Sequence, residues 1–242
     1  NAVLGRVNRH YAHHAHVVAC AFDRLDLLPV EARTKKTVVG NPVRLAIRVV
    51  REQDYPIAAP GSPLRILIIG GSQGARLFGE VIPPALARLP AELKSRLKIT
   101  QQVRAEQAEA VKTFYAESGI DAQVSSFFSD MGPRLAACHL VIARAGASSV
   151  TELAVAGRPS ILIPLKIAAD DHQTANAEAL TSVGAADAIA EGAFTVDALT
   201  ALLQQRLSDP HDLSVRAAAA RAAGKPDAAE RLADLAEQIA SA

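Results

Sequence analysis

No tryptophan occurs in these 242 residues, aromatic side chains make up 4%, and there are two cysteines and one methionine. So few rings argue against an aromatic-rich binding surface. Cys20 and Cys138 are too few for a disulfide framework and point to a reduced cytosol. No apolar run is long enough to cross a bilayer, and no secretory signal is visible. An excess of charge of either sign is also lacking: the net value is +1, which gives nucleic acid no reason to bind. What remains is a chain half hydrophobic and rich in alanine, long enough for one large or two small domains. That composition suits an α/β protein with closely packed helices. The chain opens at Asn1, without a methionine, in sequence that reads as the middle of a fold; an upstream part is expected.

Helical character over residues 3–14 and short strands at 17–22 and 37–39 come first. Residues 51–63, with Pro56, Pro60 and Pro63 in close succession, read as a linker. A regular rhythm follows. Apolar strand runs fall at 64–69, 97–102, 122–127, 140–143, 160–163 and 186–190, with helical patterns at 75–89, 105–118, 131–137, 148–156 and 173–183 between them. This alternation predicts a parallel sheet covered on both faces. Further helices are expected at 195–207, capped by Thr195, at 227–240, and through the alanine-rich run 217–223.

The stretch from Arg144 to Ala177 carries the chemistry. Gly146 breaks a strand, and Ala147, Ser148, Ser149, Val150, Thr151 and Glu152 then open a helix. The first amides of a helix lack internal partners and sit at the positive end of its dipole, so they attract phosphate. Glu152 falls short of that phosphate and suits a ribose diol. Asp170, Asp171, His172 and Gln173 follow the next strand at the same carboxyl edge, where Gln173 is placed to read sugar hydroxyls. Each residue alone reads equally as part of a capped βα unit; the combination is the specific signal.

Other motifs are weaker. Gly70-Gly71-Ser72-Gln73-Gly74-Ala75 opens a helix after a strand, and the Ser72 hydroxyl suits a phosphate, but the run lacks the lysine of an ATP loop and the dinucleotide spacing. Gly40-Asn41-Pro42-Val43-Arg44 precedes the linker. There Arg44 offers a planar fork to a base or phosphate, though residue type alone reads it as a surface arginine after a turn. Phe127-Phe128-Ser129-Asp130-Met131 ends a strand: Phe128 is equally a packing residue or one whose backbone meets a base, and Asp130 reads as a cap. His10, His13, His14 and His16 crowd one helical face with no cysteine or carboxylate spaced to complete a metal site.

Taken in order, NPVR, IIGGSQGA, FFSDM, RAGASSVTELAVAGRPSILIPL and DDHQTANA resemble the MurG-type glycosyltransferases of peptidoglycan synthesis, family 28. The match runs from Asn1 nearly to the C-terminus. The resemblance implies a GT-B fold, α/β with a Rossmann-like, doubly wound parallel sheet. Residues 64–242 would form the C-terminal UDP-sugar-binding domain, 51–63 the linker, and 1–50 a remnant of the N-terminal acceptor domain. It implies inverting transfer of N-acetylglucosamine from UDP-N-acetylglucosamine to lipid I, giving lipid II. That step serves cell-wall biogenesis, cell division and cell shape, at the cytoplasmic face of the bacterial inner membrane, with peripheral attachment through the missing domain. No cofactor, metal or nucleic acid is implied. By the same resemblance Asn1 meets the donor sugar and Arg44 the nucleotide. Ser72 holds phosphate, the Phe128 backbone meets uracil, Ala147 to Glu152 hold diphosphate and ribose, and Gln173 binds the sugar. The family's N-terminal glycine-rich loop and proposed histidine base have no counterpart here, so the base is expected upstream and this chain is expected to be inactive alone. Leu232, Leu235 and Ile239 are then expected to form an exposed apolar patch. Two other readings stay open: an epimerase acting on the same sugar nucleotide, with Asp170 and Asp171 as its carboxylates, and a non-catalytic nucleotide-sugar-binding module.

Overall fold

A computed structural model describes residues 1–70, 76–165 and 169–241. Its strands are β1 Val18–Cys20, β2 Lys36–Val38, β3 Leu64–Ile69, β4 Leu97–Gln102, β5 Asp121–Ser125, β6 Leu140–Arg144, β7 Ser160–Ile163 and β8 Ala186–Ala188. The helices are α1 Arg6–Tyr11, α2 Leu45–Arg51, α3 Arg76–Ala87, α4 Ala91–Lys94, α5 Ala108–Glu117, α6 Met131–Ala137, α7 Ala147–Ala156, α8 His172–Thr181, α9 Val196–Leu207, α10 Pro210–Ala223 and α11 Ala228–Ala240.

Six strands pair in parallel in the order β5-β4-β3-β6-β7-β8. Each of these parallel neighbours needs a crossover, and the helices supply it on both faces. The side-chain period of two decides which face each residue serves. Ile66, Ile68, Ile142, Ile161 and Ile163 point to one face, against Phe78 and Ile82 of α3, Tyr115 of α5 and Leu199 and Leu203 of α9. Leu67, Val141, Ala143 and Leu162 point to the other, against α2, α6, α7, α8 and α10. The second layer is built from small residues, among them Ala154, Ala156, Ala175, Ala177 and Ala220, which brings helices close together. Gly224 marks the tightest approach: a Cβ there would sit 2.6 Å from the Ala154 carbonyl oxygen. Gly157 ends α7 at φ 64°, a conformation that only glycine adopts without strain.

The predicted strands and crossover helices all form, with ends shifted by a few residues. Thr195 caps α9 as expected, its Oγ1 accepting from the Ala198 amide at 3.2 Å. Three readings need correction. The first helix stops at Tyr11, so His13, His14 and His16 lie beyond it and crowd no helical face. Asp130 occupies the N-cap position of α6 but makes no cap; its Oδ1 accepts from Arg134 Nε at 2.7 Å. Arg51, read as the first residue of the linker, instead ends α2, and residues 45–50, given no element from the sequence, make up the rest of it, because Ile47 and Val50 three apart supply a buried stripe.

Residues 1–50 carry the parallel pair β1–β2 and also pack on the main sheet: Ala2, Val3, Phe22, Ile47 and Val50 share a core cluster with Leu67 and Val141. The proline-rich stretch 52–63 is irregular but anchored, with Tyr55 Oη donating to the His139 carbonyl at 2.7 Å and Arg96 Nε to that of Ser62 at 2.7 Å. At the far end, Ala228 is the one buried residue of α11; of the three residues expected in an apolar patch, Leu232 and Ile239 are exposed and Leu235 is half-buried. No helix among the described residues is long and apolar enough to cross a membrane.

Candidate functional site

In chain order the six strands run 3-2-1-4-5-6 across the sheet, so the winding reverses between β3 and β6. Crevices open at such a reversal, outside the carboxyl ends of the strands, because the loops after the two central strands diverge to opposite faces. After β6 the turn is Ala145-Gly146; residues 71–75, which follow β3 in sequence, lie outside the described residues. Ser72 lies outside the described residues.

The turn after β6 leads into α7 through Gly146, which is extended (φ −62°, ψ 145°) and brings no side-chain cap. The helix's first amides, at Ala147, Ser148 and Ser149, are therefore left for an anion, reinforced by the helix dipole. The Ser148 side chain is exposed and that of Ser149 half-buried. Val150 and Thr151 differ. Val150 is buried in the core, and the Thr151 hydroxyl turns back to the Ala147 carbonyl at 2.8 Å, so neither side chain faces the crevice.

Glu152 stands one turn further along and meets Arg44, the N-cap residue of α2. Arg44 Nη2 donates to both carboxylate oxygens, at 3.0 and 3.2 Å, and Nε donates to Oε1 at 3.2 Å. Two residues picked separately as nucleotide contacts are thus in contact with each other. A carboxylate has about four lone-pair sites, so the pairing leaves Glu152 able to accept from a diol.

Gln173 sits in the first turn of α8, and its Oε1 accepts from the Leu165 amide at 3.0 Å. Because that partner is an N–H, the orientation of the side-chain amide follows, and Nε2 is the end left for a ligand. Asn1 is tied in the same sense: its Oδ1 accepts from Asn176 Nδ2 at 3.0 Å. Phe128 lies beyond β5 with its ring under the Arg134 guanidinium, 4.2 Å from Cζ to the centroid, so the ring packs and only the backbone is offered. Asp170 accepts from Arg9 at 3.0 Å and Asp171 from Thr174 Oγ1 at 2.7 Å. Both take positive φ, 53° and 50°. Two exposed carboxylates engaged in this way are poorly suited to the acid–base work an epimerase needs.

Residues 65–232 match the family model described as the glycosyltransferase family 28 C-terminal domain. The chain belongs to that family. A relative from Caulobacter vibrioides, named UDP-N-acetylglucosamine–N-acetylmuramyl-(pentapeptide) pyrophosphoryl-undecaprenol N-acetylglucosamine transferase, is 52% identical over 240 residues, covering 99% of this chain and 66% of its own length. One of the same name from Maricaulis maris is 50% identical over 233 residues, covering 96% of this chain and 63% of its own length. The crystal structure of Acinetobacter baumannii MurG superposes with a TM-score of 0.81 at 35% identity, covering 98% of this chain and 65% of that one. The chain therefore spans about two thirds of the length of these relatives, and its sheet is the parallel α/β sheet of GT-B glycosyltransferases.

Two contributors escaped sequence reasoning in this family 28 chain. Asn176 is fully buried within α8 and bonded to Asn1, Ala2 and Ala145. Arg144, at the end of β6, donates to the Ile163 carbonyl at 3.3 Å and to Glu191 Oε1 at 2.6 Å, bracing the crevice floor. The sequence signal for Asn176 was a polar residue between Ala175 and Ala177 of α8; Arg144 opens the stretch read as carrying the chemistry but was given no role in it. A cavity of about 520 Å³ lined by Phe22, Ala154, Ala175 and Leu180 touches only Val150 and Thr151 of the expected site residues, and it is not the crevice.

Proposed function

We propose that this chain is the donor-binding part of an inverting N-acetylglucosaminyltransferase that uses UDP-N-acetylglucosamine and lipid I and makes lipid II. In this reading residues 64–242 are the UDP-sugar domain, 51–63 the linker, and 1–50 belong to the acceptor-side domain. The observation that carries it is the uncapped start of α7 at the winding reversal, with the Arg44–Glu152 pair further along that helix and with Gln173 on α8 and Asn1 bonded to α8 through Asn176. The α7 amides and Ser72 hold the two phosphoryl groups, Glu152 the ribose, Arg44 the nucleotide, the Phe128 backbone the uracil, and Gln173 and Asn1 the sugar.

The chemistry follows from that placement. The acceptor hydroxyl attacks the anomeric carbon as its bond to the diphosphate oxygen breaks, and the leaving group gains negative charge at that oxygen. Fixed N–H donors at a helix start are aimed where this charge grows and need no reorganisation as it forms. A base must remove the hydroxyl proton as the new bond forms. None of the residues assigned here fills that role, so the chain binds the donor without transferring it. Acceptor and membrane contacts at the cytoplasmic face then fall to residues outside the donor site.

Calorimetric titration with UDP and UDP-N-acetylglucosamine tests the reading. Saturable heat with both ligands is expected, with no free sugar transferred. No heat and no thermal shift at millimolar ligand overturns it.

A further inference from the structure

Asn176 lies one turn after Gln173 on the same face of α8, and it has no solvent exposure. Asparagine is a poor residue for a helix interior and costly to bury unless its amide is satisfied. Here Oδ1 accepts from the Ala2 amide at 2.7 Å, while Nδ2 donates to Asn1 Oδ1 at 3.0 Å and to the Ala145 carbonyl at 3.0 Å. The Ala2 N–H demands an oxygen, so the amide has one orientation only, and both Nδ2 hydrogens are engaged. One buried group thus joins two stretches far apart in sequence: the N-terminal segment at Asn1-Ala2, and the turn directly before the start of α7.

We propose that Asn176 is the positioning residue of the sugar subsite: it holds the Asn1 amide in fixed relation to the α7 start and fixes its polarity. The inference rests on the nucleotide-sugar reading. Asn1 has its oxygen held by Asn176 and Gln173 has its oxygen held by Leu165, so both side chains present N–H donors to the crevice. The subsite accordingly recognises a ligand by hydroxyl oxygens that accept two such bonds. UDP alone carries no such group at that place, whereas the sugar nucleotide does.

The Asn176→Asp substitution keeps shape and the acceptor for Ala2 but removes both donated bonds and sets a carboxylate against the Ala145 carbonyl. Asn1 then turns its own nitrogen inward and its oxygen to the ligand. The test is titration of the whole chain with UDP and with UDP-N-acetylglucosamine, for the unsubstituted protein, Asn176→Asp, Asn1→Ala and the double variant. Expected is a loss of about tenfold in affinity for the sugar nucleotide in Asn176→Asp, with UDP changed by less than about twofold. The double variant should bind no more weakly than Asn1→Ala, because the two residues act through one contact. Equal weakening of both ligands, additive losses, or no loss overturns the inference while the nucleotide reading stands. Failure of the unsubstituted chain to bind either ligand overturns the reading and the inference together. Asn176→Ala, with UDP binding as the check on its fold, guards against an effect peculiar to the new carboxylate.

Discussion

Arg158 and Arg44 carry the same guanidinium at opposite edges of one sheet and live under opposite rules. Arg158, at the amino end of β7, is 1% exposed and has no carboxylate partner among the described residues. Its donors go to four carbonyls: Leu135 at 2.6 Å, Ala136 at 3.0 Å, Ala156 at 2.9 Å and Gly157 at 3.1 Å. These are the last carbonyls of α6 and α7, the groups a helix leaves unsatisfied and the negative ends of two dipoles. Arg44, at the carboxyl edge, has a side chain 67% exposed and one carboxylate partner. The amino edge is closed, with four of the guanidinium's five hydrogens bonded to carbonyls inside the protein. The carboxyl edge keeps spare donors and acceptors turned to water, the state a ligand site requires.

Replacing Arg158 with methionine is the severest way to break this contrast. Four carbonyls lose the guanidinium in a dry place, with Leu135 keeping a second donor in Cys138 Sγ, and the expected cost is about 3–5 kcal/mol of folding stability, read from the denaturant midpoint. UDP affinity per folded molecule should not change. A loss below about 1 kcal/mol would mean that water replaces the guanidinium, and the amino edge is then not closed.

His139 gives the same edge a pH signature. The residue is buried beside β3, with its Nδ1 accepting from the Arg65 amide at 2.8 Å. Burial first, then the nearby charges of Arg65 and Arg158, lower its pKa from 6.5 to about 4. The unfolded chain therefore binds more protons than the folded one between those values, and stability rises with pH across the window. This contribution is complete above about 6.5 and is lost as pH falls toward 4. Carboxylates held low by arginines, such as Asp130 and Asp227, add their loss only at more acid pH. His139→Asn places an oxygen near the position of Nδ1, so stability at neutral pH should stay within about 1 kcal/mol. Melting curves from pH 4 to 7 should flatten; an unaltered slope would assign that limb to another group.

The two edges also differ in how much of them the sequence discloses. Turns that must expose backbone amides need glycine and small residues at set places, so Gly146, Ser148 and Ser149 stood out after an apolar strand run. The central strands, buried on both faces, read as continuous apolar runs, a signal that residues such as Ile66, Leu67 and Ile68 carry openly. Arg158, in contrast, sits in an unremarkable Gly-Arg-Pro turn, and what buries it is α6, more than twenty residues earlier. Asn176 was hidden for the same reason, since its partners lie 31 and more than 170 residues away. Helix α2 was missed because seven residues, with no cap at Arg44 and β-branched Ile47, Val49 and Val50 among them, are too few to show a full apolar repeat; burial of Ile47 and Val50 holds it. Contacts between distant stretches leave no local pattern.

On the open edge the effects fall on binding. Glu152→Ala removes the acceptor proposed for the ribose and frees Arg44 from its partner. UDP affinity should drop about tenfold, and 2′-deoxy-UDP, lacking one donor of the diol, should bind both proteins with a smaller difference between them. Equal losses for the two nucleotides would place Glu152 away from the ribose and leave it as a partner of Arg44 alone.

Arg44→Gln should do least of all to the folded protein. An ion pair with one member this exposed gains little from Coulomb attraction in water and immobilises two long side chains, so its contribution is about 0–0.5 kcal/mol. Nothing else in the fold depends on it, because Ile47 and Val50 hold α2 through burial. The melting temperature should move by less than about 2 °C, against the many degrees expected for Arg158→Met. Its effect belongs instead to the nucleotide: UDP affinity should weaken, and the weakening should shrink as salt screens the lost charge. A drop in melting temperature comparable to that of Arg158→Met would show that both edges serve stability, and the division of labour across the sheet would fail at its simplest point.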